Sequence, residues 1–201
     1  MPTQATVLKN ALRLLGEPSS VGIDSDKKIV REIMGAWEDV AGRLFESHPW
    51  NAFKSVAQLT QVTPAVLGWE YTFNQPANCK RVIFVSDVLN EDGYPIEYTW
   101  HAGKILSNHE TTYCWFVDGA YIEQVGGWPS TFADLHAAHL ASEVYPVNDE
   151  SDNTRSRIDT AIVDRGNAAR AFDGSTDPIV RSKPGEYLRS RRGWRPGGWR
   201  G

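Results

Sequence analysis

The sequence predicts an α+β protein: a four-helix bundle (two helices, a β-rich insert, two helices) followed by an extended C-terminal arm. Three observations predict this class. Apolar residues recur at helical spacing over residues 1–50 and again over 126–174. Between them, residues 51–125 change to the two-residue period that is typical of strands. Over residues 175–201 no period survives, and glycine, proline and arginine dominate, as in arms that lie outside a core.

The first two helices are predicted within residues 1–50. The first spans Thr3 to Leu15, and Gly16 supplies the usual stop. The second begins near Ser25 and ends at His48, because the residue before a proline is pushed out of the α region. Its apolar stripe has steps of four, four, three and four residues and consists of Ile29, Ile33, Trp37, Val40 and Leu44.

The insert is predicted to contain about five short strands in meander order. One alternating segment carries Trp69, Tyr71 and Phe73. Asp118-Gly119 separates two apolar runs and predicts a hairpin with a type I′ turn, since Asp-Gly readily adopts positive φ angles.

Helical spacing returns after the insert. A third helix is predicted from Ser130 or Thr131 to Tyr145 and a fourth from Ser151 to Phe172, ended by Asp173-Gly174. The inward face of the fourth helix is predicted to comprise Ile158, Ala161, Ile162, Ala169 and Phe172. Four apolar stripes can be buried against one another in a single bundle, so residues 51–125 are interpreted as an insertion into one helical domain.

Charge is distributed unevenly along the chain, whose net charge is −4 at pH 7. Residues 181–201 contain seven Lys or Arg against one Glu, a net +6, so the other 180 residues contain 14 basic and 24 acidic side chains, a net −10. An acidic body repels nucleic acid, whereas a basic terminus is attracted to an acidic protein surface or to DNA.

Composition excludes several classes of protein. The two cysteines, Cys79 and Cys114, are widely spaced, which favours a reducing cytosol over a secreted disulfide scaffold. The N-terminus lacks the apolar run of a signal peptide. No run approaches the ~18 apolar residues of a membrane-spanning helix, so no contact with a membrane is predicted.

Candidate catalytic and metal-binding groups are few. His136 and His139 share a helix face at i, i+3, but no third ligand accompanies them, so structural roles are predicted for both. Cys114 with His109 could be a nucleophile and its base, yet a Cys within an apolar strand is more often a small buried hydrophobe. We therefore predict no enzyme activity, no cofactor and no bound metal.

The residues of the arm allow three interpretations: protein docking, nucleic-acid binding and disorder. Arginine interleaved with tryptophan is typical of protein-docking anchors and also of nucleic-acid binding, while Gly/Pro/Arg segments are often disordered. Protein docking is favoured, because disordered segments are poor in aromatics. The candidate docking residues are Tyr187, Leu188, Arg189, Arg191, Arg192, Trp194, Arg195 and Trp199.

Three motifs stand out along the chain: ALRLLGEPS (Ala11 to Ser19), Trp37 followed by HPWNAF (His48 to Phe53), and GWPSTFADLHAAHLA (Gly127 to Ala141). In their order and spacing they resemble the head-to-tail adaptor family of tailed phages, which includes tail tubular protein A. A late basic stretch with Trp follows the last helix, so the resemblance covers essentially the whole chain.

The resemblance implies a non-enzymatic virion protein of the neck, made in the host cytoplasm. Twelve copies would form a ring between the portal protein and the tail nozzle or other tail proteins, and double-stranded DNA would pass through its lumen without specific binding. The arm is then expected to dock on the portal or on a neighbouring copy. A tail-facing or inter-subunit surface of the insert is expected at Trp69, Tyr71, Phe73, Tyr113, Trp115, Asp118 and Gly119. The alternative is a nucleic-acid-binding protein that uses the basic arm.

Overall fold

The structure, a computed structural model, describes residues 1–18, 20, 22–62, 68–89, 95–148 and 152–176. Its helices are α1 (Gln4–Leu15), α2 (Lys28–Gly35), α3 (Trp37–Ser47), α4 (Ser130–Asn148) and α5 (Asp152–Thr176). Its strands are β1 (Lys54–Gln58), β2 (Gln61–Val62), β3 (Tyr71–Asn74), β4 (Cys79–Ser86), β5 (Tyr98–His101), β6 (Lys104–Ser107) and β7 (Tyr113–Asp118). Because α2 and α3 meet at Ala36, these residues form four helical segments with a β-rich middle.

The helices begin and end where their residues require it. The hydroxyl of Thr3 accepts a hydrogen bond from the backbone N–H of Thr6 at the start of α1, and Gly16, with a φ of 80°, ends it. The predicted first helix is confirmed, and all five residues of the predicted second stripe are buried. The α4 helix is central, since α1, α2, α3 and α5 all pack against it.

The strands form two antiparallel sheets and not the predicted meander. Their orders are β1-β7-β4 and β2-β3-β6-β5. The predicted hairpin at Asp118-Gly119 is wrong, because Gly119 begins a 3-10 turn and donates its N–H to the carbonyl of Asn78 at 2.7 Å. Positive φ angles occur instead at Ala102 (48°) and Gly103 (75°), which join β5 to β6.

The β7 strand explains why the prediction of a four-helix bundle with a β insert is wrong. Successive side chains of a strand point to opposite faces. Accordingly, Val117 packs into the core formed by the helices, while Cys114 and Phe116 pack into a second core between the sheets. The three-stranded sheet is therefore a middle layer with a core on each face. The helices bury their apolar stripes against this sheet as well as against one another, which no closed bundle allows.

The core on the helical side, the first core, is centred on aromatic rings. Phe132 of α4 lies 4.8 Å from Phe53, 5.4 Å from Phe45 and 5.2 Å from Trp128, measured between ring centroids. These are preferred edge-to-face arrangements, each worth ~0.5–1.5 kcal/mol beyond the burial of apolar area. Phe45 and Phe53 come from either end of the α3–β1 connection, so the same cluster joins the helices to the sheet.

Candidate interaction surface

The connection between α3 and β1 is fastened to the end of α5 by one buried carboxylate. Asp173, only 3% exposed, accepts hydrogen bonds from the backbone N–H groups of Asn51 (2.8 Å) and Ala52 (3.3 Å). Its other oxygen lies 3.3 Å from His48 Nε2. Trp50 completes the junction, because its indole N–H donates to the carbonyl of Leu44 at 2.8 Å. We call this junction the Asp173 clamp.

The Asp173 clamp was missed by sequence reasoning, which took Asp173-Gly174 as the end of the helix. In the structure α5 continues to Thr176, and Asp173 faces inward while Phe172, predicted to face inward, is exposed. The available signal was the HPWNAF motif. A proline there leaves the following N–H groups at the start of a turn without helical partners, and a carboxylate satisfies such groups well.

An open cleft of about 380 Å³ lies beside the clamp. Its floor is the buried Trp115 of β7, and its walls include Val56 of β1 and Phe172 of α5, which are 43% and 45% exposed. Lys54 lines it on one side and Thr176, the last described residue, on another. Large apolar side chains with this exposure at one cleft are typical of an interaction site. We call it the β1 groove.

The β1 groove exists because the helical layer ends before the sheet does. Val56, Trp115 and Phe84 follow one another across the three strands of the sheet, and the rings of Phe84 and Trp115 stack at 4.6 Å. The helices cover Val117, two residues further along β7 on the same face, but leave Val56 open. Moreover, β1 is an edge strand, since β7 is its one strand partner among the described residues.

All eight predicted docking residues of the arm, from Tyr187 to Trp199, lie outside the described residues. The structure therefore gives only the point from which the arm departs, at Thr176. The Thr176 hydroxyl donates to the carbonyl of Asp173 at 2.7 Å, so the point of departure is tied to the clamp. Residues 177–201 carry seven basic and two acidic side chains.

The seven predicted residues of the insert are not gathered on one surface. Phe73 is buried in the second core, and Trp115 is the floor of the β1 groove. The half-buried members are Trp69, Tyr71 and Tyr113. Asp118 and Gly119 have a structural part, since Asp118 accepts hydrogen bonds from the Ala120 N–H (2.9 Å) and the Ser55 hydroxyl (3.2 Å). A Cβ at Gly119 would lie 3.1 Å from the Asn78 carbonyl.

Other apolar side chains of the β-rich middle are exposed, and sequence reasoning did not single them out. Trp100 on the edge strand β5 is 59% exposed and donates its indole N–H to Gln75 at 2.8 Å. Val88 and Leu89, which follow β4, are also exposed. The edge of β5 among the described residues, with the exposed Trp100, is a second candidate contact surface, which we call the Trp100 edge.

His136, weighed above as a metal ligand, is a core residue. Its ring lies edge-on to Trp37 and Trp128, at 4.7 and 5.1 Å between centroids, and its Nε2–H donates to the carbonyl of Trp37 at 3.2 Å. Its buried Nδ1 has no hydrogen-bond partner among the described residues. Burial in this aromatic setting lowers the pKa of His136 to about 4, against the backbone hydrogen bond that raises it. The residue is therefore neutral at pH 7.

His139 lies one turn further along α4, in a cleft of about 340 Å³ that also includes Arg43 and Arg170. Burial, followed by the two guanidinium charges, lowers the pKa of His139. Arg43 is held by Glu143 at 2.5 Å. Among the described residues, no group of three or more His, Cys, Asp or Glu side chains is placed to hold a metal ion.

The two cysteines are free and belong to the second core. A hydrogen bond with Cys79, together with burial, raises the pKa of the Cys114 thiol, so Cys114 is a neutral hydrophobic residue at pH 7. His109 faces Asp87, with 3.5 Å between Nδ1 and Oδ2. Within the described ranges, no helix is long and apolar enough to cross a membrane. No protein-family model matches this chain, and no curated protein matches it by sequence.

Proposed function

We propose that this protein is a head-to-tail adaptor: a structural virion subunit that forms a ring between the portal and the tail and encloses the channel through which DNA leaves. The observation that carries the proposal is the Asp173 clamp. It fixes the base of a basic, Trp-containing arm to the body at a defined point, beside an open apolar groove. An arm fixed at one site and a groove that can receive such an arm are the two complementary surfaces that a head-to-tail contact between copies requires.

The distribution of charge supports the proposed ring. The described residues contain 14 basic and 19 acidic side chains, whereas residues 177–201 have a net charge of +5. A wall of negative sign lets a duplex slide through a lumen, because it has few cations with which to neutralise phosphates. The basic arm is complementary to acidic protein surfaces, which suits docking on a portal or a second copy.

The exposed apolar residues of the β-rich middle support contact with a second protein. Trp100, Val88 and Leu89 lie on or next to the sheets, away in sequence from the groove where the arm departs. An adaptor has to bind the portal, its neighbours and the tail at once, so it requires more than one such surface. We propose that the Trp100 edge makes the tail-facing or inter-subunit contact that was predicted for the insert.

Truncation after Thr176 tests the proposal. The clamp and both cores remain intact in the shortened chain, so its circular dichroism spectrum and melting temperature are expected to match those of the full chain. Its attachment to purified portal rings, followed by sedimentation, is expected to be lost. Attachment of the truncated chain with undiminished affinity would contradict the proposed role of the arm.

Nucleic-acid binding is the second candidate, and the seven Lys or Arg and two Trp of residues 177–201 favour it. It predicts that the full chain binds duplex DNA with a steep salt dependence that disappears on truncation after Thr176. The adaptor predicts weak DNA binding by both chains, since the body is acidic. A titration of both chains with labelled duplex at two salt concentrations separates the two functions.

A further inference from the structure

The β1 groove is built to receive an extended segment. An edge strand offers a row of free backbone N–H and C=O groups, and a segment that pairs with it places alternate side chains on the groove side. Val56 and Phe172 supply apolar walls above Trp115, and a cleft of about 380 Å³ is of the size that accepts a large side chain. Lys54 stands at the same cleft as a cation.

We propose that the occupant of the β1 groove is residues 183–189 of the arm of a second copy, with Tyr187 in the cleft. This inference rests on the proposed ring and names the surface by which neighbouring copies hold one another. Tyr187 and Leu188 are adjacent apolar residues of this segment. The segment therefore matches the groove in apolar character.

The length of the arm favours a neighbouring copy over the same chain. Tyr187 lies 11 residues beyond Thr176, a distance of up to about 36–40 Å in extended form. A body of this length has a radius of gyration of about 16 Å, so this reach is comparable with its diameter. Thr176 itself lines the groove. Within one chain the ten intervening residues would have to loop out and return, whereas between copies they span the distance.

A heterologous contact of this kind generates a ring where its rotation closes. The arm is one surface and the groove is the other, and each copy has one of each, so contacts repeat around an axis until the rotation closes. The receptor strand is held rigid by the same Asp173 clamp that fixes the departure of the arm, because Asn51 and Ala52 directly precede β1 in sequence. Within each copy, the clamp therefore fixes the orientation of the β1 groove relative to the point at which the arm leaves the body.

Native lysines on both partners allow the proposal to be tested in the full chain. Equal amounts of ¹⁴N and ¹⁵N protein are mixed, assembled on portal rings and treated with a short amine-reactive cross-linker. Peptides that link Lys54 to Lys183 are then sorted by isotope. We expect about half of these pairs to be mixed, as in any contact between randomly drawn copies. Exclusively same-isotope pairs, or none at all, would overturn the proposal.

Two exposed apolar residues of α5 supply a matched pair of variants. Phe172→Asp puts a charge in the groove and is expected to lower the mixed pairs by about tenfold or more, the effect of one anchor residue. Val163→Asp changes a residue that is 60% exposed elsewhere on the helix and is expected to leave them unchanged. If Val163→Asp lowered the mixed-isotope pairs as much as Phe172→Asp, the result would contradict the β1 groove as the docking site. If the rings form but contain no mixed pairs, this inference fails and the adaptor function stands; if no ring forms, the adaptor function fails as well.

Discussion

The two cores of the molecule are built differently. In the first core, rings from α3, α4 and the α3–β1 connection touch in a continuous cluster, with Phe132 near its centre. The second core, between the sheets, is smaller: Leu59, Val85 and Ile105 pack with Phe73 and Phe116. In the same β-rich middle Trp100 and the residues that follow β4 are exposed. The comparison shows that the aromatic packing is concentrated in the first core, whereas the β-rich middle leaves several large apolar side chains exposed.

The comparison predicts unequal costs for equal changes. Phe132→Ala removes a ring that contacts four others, so it is expected to lower the free energy of unfolding by about 4–5 kcal/mol. Phe73→Ala, the matched change in the second core, is expected to cost about 3 kcal/mol. Urea denaturation of both variants gives the two values. A larger loss from Phe73→Ala would reverse the assignment of the first core as the stabilising one.

The first core also predicts a dependence of stability on pH. The folded pKa of His136, about 4, lies below the ordinary value of 6.5, so the unfolded chain binds more protons between these pH values. The contribution of His136 is thus complete above pH 6.5 and is lost as the pH falls to 4, by about 3 kcal/mol. His139, whose pKa is also lowered, acts in the same direction.

His136→Gln is expected to flatten this part of the stability curve, because glutamine can donate to the Trp37 carbonyl but does not titrate. Denaturation at pH 7 and pH 4.5 measures the effect. His101→Gln, a change on the exposed β5–β6 turn, serves as the control and is expected to keep the dependence of the original chain. Identical slopes for the two variants would show that His136 is not the group responsible.

The Asp173 clamp joins the first core to the sheet that the two cores share. Asp173→Ala leaves the N–H groups of Asn51 and Ala52 without an acceptor, at an expected cost of about 2 kcal/mol. Asp173→Asn keeps one acceptor oxygen and is expected to cost about half as much. Thermal unfolding of the two variants measures these losses. If the stability of either variant equals that of the original chain within error, the stabilising role of the clamp is contradicted.

The smallest predicted effect lies at the edge of the second core. Ala102 has a φ of 48°, a conformation that strains any residue with a Cβ, so Ala102→Gly is expected to stabilise the fold by about 0.5 kcal/mol. Gly103→Ala is the converse change: a Cβ there meets no atom within 4 Å, so its cost of about 1 kcal/mol comes from the backbone alone. Urea midpoints that shift in the same direction for both would refute this account of the turn.

The helices and their buried faces could be predicted from the sequence, but the way in which helices and strands pack together in the fold could not. The stripe from Ile29 to Leu44 was found because helical periodicity reports which face is buried. Helical periodicity does not indicate which element the buried face packs against. A helix face that packs on a sheet therefore has the same sequence pattern as one that packs in a helix bundle. The two faces of β7 are both apolar, and a continuous apolar run carries no sign of two separate cores.

The candidate site was only partly predictable for the same reason. HPWNAF and the basic arm stand out locally, but the Asp173 clamp joins residues more than 120 positions apart. Phe172 was predicted to face inward and Asp173-Gly174 to end the helix. Instead the helix continues to Thr176, Phe172 is exposed, and Asp173 faces inward beside three polar partners. A hydrogen bond between residues that are distant in sequence produces no repeating pattern in the sequence, whereas a buried apolar face of a helix or strand does.

The native mass of the purified full chain, measured with and without portal rings, tests the central claim most directly. The adaptor predicts a small species in solution and, on the portal, a ring in which copies of the chain are present in a fixed multiple, twelve by the family resemblance. A chain that stays monomeric with portal present, and instead shifts to higher mass on addition of duplex DNA in low salt, would contradict it.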